Sequence, residues 1–528
     1  MPKTTMDLKT DFLIIGGGVS GLTLAIKLSE SCPDRQILLI TKDELKECNT
    51  YHAQGGMACV WDDDDSFEKH IQDTLKAGDG LCDEEVVKEI LTQVPERIQE
   101  LIDWGIEFSR DENGEYDLGR EGGHSERRVL HVDDLTGKYV EETLIDRVSK
   151  CENVEIRENW CAINLYARNR RCYGVYVLNQ ESERIRNISA RATILATGGA
   201  GKIYLYTSNP DVASGDGIAM AYRAGAAISN MEFFQFHPTC LYHPYAKNFL
   251  ITEAMRGEGA ILKDIEGNEF MKDYHPMEEL APRDIVSRAI DSKLKETGDD
   301  YVYLDIASQR DPDFIRDHFP GVYEQCLEFN IDITKEPIPV VPAAHYCCGG
   351  VVAGIDGATQ VKGLYVIGES ACTGLHGANR LASNSLIEGL VCGHNCAKTL
   401  TEKIEHFKIK EFEPWEPGHA IPSTEAVVIT QNWEEIRRFM QNYVGIVRTD
   451  KRLQRAKKRI NLILDEINRY YWDFKIEKNL IELRNLATVA KIIIVSAISR
   501  KESRGIHYNV DYPEKAKKAR PTVLEKPW

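Results

Sequence analysis

The apolar positions near the start of the chain change their spacing at a glycine turn. Asp11 to Ile15 is a short apolar run, and three glycines follow it at 16–18. Apolar residues then recur at helical spacing, at Val19, Leu22, Leu24, Ala25 and Leu28, and a second apolar run covers Ile37 to Thr41. This order of strand, helix and strand predicts a βαβ unit at the start of an α/β domain.

Two later apolar runs resemble strands of the same sheet. Ala192 to Ala196 ends in Thr197-Gly198-Gly199, and Gly363 to Ile367 ends in Gly368-Glu369. The region between them contains further strand patterns, such as Tyr301 to Ile306, and helical patterns. We therefore predict a domain inserted into a nucleotide-binding domain, with residues 1–230 and 346–415 forming the latter and 231–345 the insertion.

The last part of the chain begins with a linker and continues with helical patterns. Four residues that break regular structure (Pro414, Pro417, Gly418, Pro422) lie between Phe412 and Pro422, which is typical of a linker. Segments that start near Trp433, Thr449 and Glu477 show helical spacing and few glycines. We predict three antiparallel helices within a C-terminal domain of residues 416–528.

Charge and cysteine content narrow the classes of function. The 528 residues carry 65 basic and 83 acidic side chains, a formal net charge of −18. Nucleic acid is disfavoured as a partner, since phosphate binding normally needs a basic surface. No stretch approaches the about 18 apolar residues of a membrane span, so no membrane partner is expected.

The chain has 14 cysteines and contains no CxxC pair, which argues against a zinc or iron–sulfur site. The acidic run at 62–65 is predicted to be a solvated loop and not a metal site. Scattered thiols, together with a polar N-terminus that resembles no signal segment, predict a reducing cytoplasm.

The glycine turn has the spacing of a dinucleotide-binding fingerprint. Gly16, Gly18 and Gly21 lie between a strand and a helix, where small residues allow a tight turn and close approach of the backbone to a pyrophosphate. The acidic residue usual near the end of the second strand is replaced by Thr41-Lys42, so the ribose must be held in another way. The chain has no second fingerprint for a nicotinamide cofactor, and three small-residue strand ends favour FAD.

Six motifs, in order through nearly the whole chain, resemble the succinate dehydrogenase/fumarate reductase flavoprotein family. They are NTYHAQGG (49–56), FHPT (236–239), TEAMRGEG (252–259), PRD (282–284), HYCCGG (345–350) and HGANRLASNSL (376–386). The resemblance implies a Rossmann-like FAD-binding domain, an inserted α+β capping domain and a C-terminal three-helix domain.

Within the family, the chain is similar to the branch that oxidises L-aspartate. Asn49 stands where members of the membrane complexes have a histidine bonded to FAD, so non-covalent FAD is expected. EGGHSER (121–127), NYVGIVR (442–448) and RKESRGIHY (500–508) also match that branch. The alternatives are a succinate dehydrogenase or fumarate reductase flavoprotein subunit, an RNA-binding flavoprotein of tRNA modification, and an inactive homologue.

The resemblance implies a set of residues around the cofactor and the substrate. The expected FAD-binding residues are Gly16, Gly18, Ser20, Gly21, Thr41, Lys42, Asn49, Thr50, Gln54, Gly55, Gly56, Thr197, Gly198, Gly199, Asp216, Glu369, Ser385 and Leu386. His237, Thr252, His345 and Arg380 match positions that bind carboxylates, with Glu253 orienting its neighbours. His376 is expected to line the flavin pocket.

Arg283 and Glu121 are the expected catalytic residues. Arg283 occupies the family's proton-shuttle position and could act as an acid–base catalyst, a carboxylate clamp, or both. Glu121 is the natural partner of the substrate ammonium. The expected product is iminoaspartate, with oxygen reduced to hydrogen peroxide or fumarate reduced to succinate. Because the imine hydrolyses readily, the resemblance also implies delivery to quinolinate synthase in NAD biosynthesis.

Overall fold

The computed structural model describes residues 8–62, 64–246, 249–422 and 425–526. Its α-helices are α1 (Val19–Ser31), α2 (Phe67–Ala77), α3 (Glu84–Asp103), α4 (Thr136–Ser149), α5 (Asp216–Arg223), α6 (Ala254–Gly257), α7 (Arg283–Thr297), α8 (Pro312–His318), α9 (Pro320–Glu328), α10 (Asn384–Lys403), α11 (Val427–Phe439), α12 (Asp450–Asp473) and α13 (Lys478–Ser499).

The strands in the first half of the chain are β1 (Leu8–Ile15), β2 (Ile37–Ile40), β3 (Met57–Ala58), β4 (Val129–Leu130), β5 (Val154–Arg157), β6 (Trp160–Arg168), β7 (Arg171–Asn179), β8 (Arg184–Leu195), β9 (Ile228–Ser229) and β10 (Phe234–Leu241). Those that follow are β11 (Ile261–Lys263), β12 (Val302–Asp305), β13 (Ile338–Cys347), β14 (Gly350–Val352), β15 (Leu364–Val366), β16 (Ala371–Cys372), β17 (Val447–Arg448), β18 (Tyr508–Asn509) and β19 (Val523–Leu524).

The largest sheet has the order β5-β2-β1-β8-β7-β6, and β15 also pairs with β8. Strands β5, β2, β1, β8 and β15 are parallel, whereas β7 and β6 continue the sheet antiparallel. In β1 the residues Phe12 to Ile15 are all buried, as expected for a strand covered on both faces. The predicted βαβ unit is therefore the centre of the sheet, and the carboxyl ends of its strands meet at the glycine turn.

A second, antiparallel sheet has the order β10-β13-β12-β11. Its strands pack with α7, α8 and α9 in a separate apolar cluster, which includes Leu262, Ile290, Leu304, Ile315 and Ile338. The insertion therefore has its own hydrophobic core. The exact residues 231 and 345 that we assign to its ends stay a prediction.

The C-terminal helices share a core with the first domain. Residues of α11, α12 and α13 belong to the same buried cluster as β6, β7 and α5. The chain then returns to the first domain, where β19 pairs antiparallel with β9. This returning tail was not predicted, because a two-residue strand leaves no periodic signal.

The predicted fold class is confirmed: a mixed α/β nucleotide-binding domain, an inserted α+β unit and a C-terminal helical part. The linker packs on the sheet, since Phe412 stacks on Tyr166 with ring centroids 4.3 Å apart and Asn187 donates to its carbonyl at 3.1 Å. Within the described residues, no helix has the length and apolar character needed to cross a bilayer.

The prediction of a solvated acidic loop at 62–65 is wrong for Asp65. Its carboxylate is nearly inaccessible and forms an ion pair with the buried Arg128. Asp62 and Asp64 are exposed, as expected, and Asp63 lies outside the described residues. Among the described residues, no cluster of His, Cys, Asp and Glu side chains could hold a metal ion.

Candidate active site

One cavity of about 1260 Å³ lies between the nucleotide-binding sheet and the inserted sheet. Of the residues expected around the cofactor and the substrate, all but Gly21 and His376 line it. Gly21 instead packs α1 against the preceding turn, where a Cβ would approach the Gly16 carbonyl oxygen to 2.1 Å. The fold therefore brings together motifs that are separated by hundreds of residues.

The glycine turn forms one end of the cavity. Gly16 has φ +114°, and a Cβ there would lie 2.1 Å from the Ala196 carbonyl oxygen. Gly18 at the N-terminus of α1 brings no capping side chain, so this end of the helix presents backbone N–H groups without a competing carboxylate. Backbone of this shape suits the pyrophosphate of a dinucleotide.

The wall beside the turn contains a buried carboxylate–amide pair. Asn49 donates from Nδ2 to Glu369 Oε2 at 2.9 Å, and the Cys347 amide donates to Glu369 Oε1 at 3.0 Å. The Asn49 Oδ1 atom is buried without a hydrogen-bond partner among the described residues. Burial raises the pKa of Glu369, although these donors and nearby cations oppose the shift. An acceptor without a donor, in a cavity wall of glycines, fits a bound flavin that supplies the missing group.

Lys42 links this wall to the C-terminal helices. Its ammonium lies 2.7 Å from a carboxylate oxygen of Asp216 and 2.7 Å from one of Glu482 on α13. Burial opposes the charge, but the two carboxylates raise the pKa of Lys42 above its usual range. The expected cofactor residues Lys42 and Asp216 are thus ion-paired with each other on the cavity wall.

Three arginines converge at the other end of the cavity. Arg380 donates from Nε and Nη2 to Gln235 Oε1 at 3.1 and 2.9 Å, and from Nη1 to Ser385 at 2.6 Å. Arg283, the first residue of α7, donates from Nε to Glu253. The described residues provide no partner for the terminal nitrogens of Arg283, so they remain available to a ligand.

Arg256 is the third arginine and was not among the expected site residues. It is 2% exposed, donates from Nη1 to the Glu279 carbonyl at 2.6 Å and has Nη2 3.4 Å from Glu253. Its position in TEAMRGEG, three residues after Glu253, was the available signal, since residues three apart on a helix share a face. Burial raises the pKa of Glu253, but Arg283 and Arg256 together hold it below its usual value.

Two imidazoles lie beside the arginines. The rings of His237 and His345 have centroids 5.9 Å apart. Thr239 donates its amide to His237 Nδ1 at 3.3 Å, so Nε2 of His237 carries the hydrogen and is a donor. Burial, reinforced by the neighbouring cations, lowers the pKa of both imidazoles well below 6.5. Both are therefore neutral hydrogen-bonding groups at neutral pH.

Glu121 supplies a carboxylate opposite the arginines. It accepts a hydrogen bond from Ser383 Oγ at 2.7 Å, and its charge contributes to the raised pKa of Arg283. Burial would lower that pKa, but Glu253 and Glu121 more than compensate. Thr252 lies on the same cavity and accepts from the Ala254 amide at 3.3 Å, which leaves its hydroxyl hydrogen free to donate.

The expectation that His376 lines the flavin pocket is wrong. Its ring lies behind the wall, where Nε2 is 2.8 Å from Glu388 and 3.1 Å from the Tyr346 hydroxyl. The motif identifies His376, but its spacing does not specify which way the ring faces. Sequence reasoning also missed Ser383 and Gln235, which were not distinguishable from ordinary polar residues near the motifs.

Comparison with known proteins agrees with this geometry. The FAD binding domain model matches residues 11–386, and the model for the fumarate reductase flavoprotein C-terminus matches residues 433–521. The L-aspartate oxidase of Pseudomonas aeruginosa is 52% identical over 531 residues, which cover 98% of each chain. The chloroplastic L-aspartate oxidase 2-a of Nicotiana tabacum is 44% identical, covering 97% of this chain and 83% of its own.

A solved structure extends the likeness to the fold. FrdA of the E. coli quinol fumarate reductase superimposes with a TM-score of 0.86 at 29% sequence identity. The superposition covers 97% of this chain and 93% of FrdA.

Proposed function

The chain belongs to the L-aspartate oxidases of the succinate dehydrogenase and fumarate reductase flavoprotein family, and we propose that it oxidises L-aspartate to iminoaspartate with FAD. The observation that carries the proposal is the charge balance at the arginine end of the cavity. Arg256, Arg283 and Arg380 face Glu121 and Glu253, while both imidazoles are neutral. These five side chains carry one net positive charge, and the nearby Glu279 carboxylate is bound instead by the Leu262 amide.

That balance favours aspartate over its amine-free relatives. Aspartate has two carboxylates and one ammonium, so its single net negative charge neutralises the site. Succinate and fumarate are dianions and would leave one negative charge uncompensated. A buried site stabilises the ligand that satisfies every charge within it.

The binding residues divide between the two ends of the substrate. Arg380 and Arg283 bind carboxylates, because the planar guanidinium donates two parallel hydrogen bonds. His237, His345 and Thr252 add neutral donors, and Glu121 pairs with the ammonium and accepts a proton from it. FAD, when bound, accepts the hydrogen and electron pair lost from Cα.

Arg283 has a second role in the reduction of fumarate to succinate. Glu253 and Glu121 raise the pKa of Arg283, so its guanidinium is charged when a substrate carboxylate binds. In fumarate reduction Arg283 donates a proton to the substrate. Its hydrogen bond to Glu253 provides a route by which that proton is replaced. We propose that either oxygen, reduced to hydrogen peroxide, or fumarate, reduced to succinate, accepts the two electrons.

Anaerobic titration with L-aspartate tests the function. The oxidised flavin absorbance should disappear in proportion to the L-aspartate added, and succinate at the same concentrations should cause much less loss. Bleaching by succinate alone would identify a dehydrogenase subunit and refute the proposal. An unbleached flavin with both ligands would indicate an inactive homologue.

The product suggests the next step. An imine with two carboxylates hydrolyses in water, so we propose transfer to quinolinate synthase in NAD biosynthesis. The yield of quinolinate should be higher with both enzymes in one compartment than with a dialysis membrane between them. We also propose a reducing, cytoplasmic location, which is supported by the 14 free cysteines.

A further inference from the structure

Glu121 lies on a short loop whose ends are fastened together. We call residues 120–128 the amine loop. Its ends meet where Gly119 pairs with Val129 across an antiparallel bridge. Within the loop, the His124 amide donates to the Glu121 carbonyl at 3.2 Å, and Arg120 Nε donates to the His124 carbonyl at 3.0 Å. The path of the backbone is thus constrained on both sides of Glu121.

Ser383, which donates to the Glu121 carboxylate, has an unusual backbone. Its φ is +61°, a left-handed conformation that costs energy for a residue with a side chain. Both neighbours of Ser383 are held by buried imidazoles. His124 Nε2 lies 2.9 Å from the Ala382 carbonyl oxygen, and His70 Nε2 lies 3.0 Å from Asn384 Oδ1. These contacts maintain the turn that aims the Ser383 hydroxyl at Glu121.

Arg128 connects His124 to the protein behind it. It is fully buried and binds Asp65 through two parallel hydrogen bonds, from Nε at 2.7 Å and from Nη2 at 2.9 Å. Its Nη1 lies 2.6 Å from Asp73 Oδ2 and 3.0 Å from His124 Nδ1. Asp73 also accepts from the amide and the hydroxyl of Ser125, each at 2.8 Å.

The tautomer of His124 makes this a directed chain of contacts. A carbonyl oxygen can only accept, so Nε2 of His124 carries the hydrogen toward Ala382. Nδ1 then has a lone pair, and the guanidinium of Arg128 is its donor. Burial and the nearby guanidinium lower the pKa of His124, although the Ala382 carbonyl opposes the shift. The neutral ring therefore transmits the position of Arg128 to the turn at Ser383.

We propose that Arg128 is a positioning residue for amine recognition, acting on Glu121 through His124 and Ser383. The assignment deepens the proposed function and rests on it. Arg128 does not line the cavity and touches no substrate. Its effect is on specificity, because only a ligand with an ammonium depends on the direction of the Glu121 carboxylate. Dicarboxylates without an amine depend instead on the arginines and on His237 and His345.

The test replaces Arg128 by lysine and compares two reactions. A lysine ammonium keeps the charge between Asp65 and Asp73 but has no planar fork with which to reach His124 at the same time. Arg127→Lys is the matched control, since the neighbouring side chain is 68% exposed and contacts the Leu118 carbonyl and Asp117. FAD content and the thermal midpoint are recorded for each variant.

We expect Arg128→Lys to lower kcat/KM for L-aspartate oxidation by about 10- to 100-fold, as small misplacements of a binding group do. Fumarate reduction with an artificial electron donor should stay within about threefold of wild type, because its binding groups do not move. Arg127→Lys should change neither reaction by more than about twofold.

Each outcome decides the assignment. Equal losses in both reactions would overturn it, because a merely structural arginine would damage the whole cavity. If Arg128→Lys does not fold, Asp73→Asn replaces it, and an unchanged ratio of the two reactions in that variant would also overturn it. A wild type that does not oxidise L-aspartate would refute the proposed function and this assignment together, which separates that failure from failure of the assignment alone.

Discussion

The substitution Glu121→Gln isolates the charge of the group that faces the substrate amine. Glutamine has nearly the same shape, and its carbonyl oxygen can still accept the hydrogen bond that Ser383 donates at 2.7 Å. The turn at Ser383 and the amine loop therefore keep their contacts. The variant differs from wild type mainly by the loss of one negative charge beside the ammonium.

The size of the effect follows from the general strength of a short-range charge pair. Two unit charges 4 Å apart interact by about 4 kcal/mol at an effective dielectric constant near 20, and partial solvation of Glu121 reduces this. Truncating one member of such a pair costs roughly 2–5 kcal/mol in measured complexes. We therefore expect the variant to lose about 2–3 kcal/mol of transition-state stabilisation, which lowers kcat/KM for L-aspartate roughly 30- to 150-fold.

Fumarate should respond in the opposite direction. In the variant, three guanidinium groups face Glu253 alone, so the site has two net positive charges and matches a dianion. Fumarate reduction should be retained or improved, because the variant lacks the repulsive carboxylate. The assay is the ratio of kcat/KM for L-aspartate oxidation to kcat/KM for fumarate reduction with an artificial donor.

Glu126→Gln provides the matched control. Glu126 lies on the same loop but pairs with Lys69 at the surface and does not line the cavity. Its variant should leave the ratio unchanged. If Glu121→Gln lowers both reactions equally, Glu121 supports the loop or the cofactor and does not distinguish the amine, and the charge argument for aspartate fails with it.

Three further predictions concern the cofactor, the clamp and acid stability. Acid precipitation should release all flavin into solution, because Asn49 cannot form the bond that a histidine forms; flavin retained by the pellet would contradict this. Arg283→Leu should keep FAD but lose about 10² to 10⁴ in turnover, whereas Arg288→Leu, on the same helix outside the cavity, should remain active; near-normal activity of the first variant would make Arg283 a salt-bridge residue only. Burial lowers the pKa of His70 from 6.5 to about 3. Below pH 6.5 the unfolded chain therefore binds a proton at this residue that the folded chain does not bind, and the free energy of unfolding falls as the pH falls. Between pH 7 and pH 5 the unfolding free energy, measured by urea titration, should fall by about 2 kcal/mol less in His70→Gln than in wild type. An equal fall in both proteins would contradict the lowered pKa of His70.

Sequence patterns pointed to most of the residues that line the cavity, but not to the side chains that hold them in place. Gly16 and Gly18 are dictated by backbone geometry, which is local and therefore visible in a motif. His376 shows the limit, since its motif is correct but its ring packs on Glu388 behind the cavity wall. Ser383 acts through the direction of its side chain, which no spacing rule specifies, whereas for Arg256 the spacing of three residues from Glu253 was a signal.

Charge runs were a weaker guide than apolar spacing. The acidic run at 62–65 was predicted to be solvated, yet Asp65 binds the fully buried Arg128. Burial of a charge depends on whether a partner arrives from elsewhere in the chain, here 63 residues later. The C-terminal tail was missed for a similar reason, because β19 exists only through its pairing with β9.

Patterns among neighbouring residues predict the parts of this protein that depend on local contacts. These are the βαβ unit, the glycine turn for a dinucleotide, the helices of the C-terminal part and, through six motifs, the family. The tertiary structure alone decided which side chains meet. It placed three arginines, two neutral imidazoles and Glu121 around one cavity, and it put Arg128, His124 and Ser383 behind Glu121. The physical reason is that burial, pKa and side-chain direction are properties of contacts between distant segments, which exist only after the chain has folded.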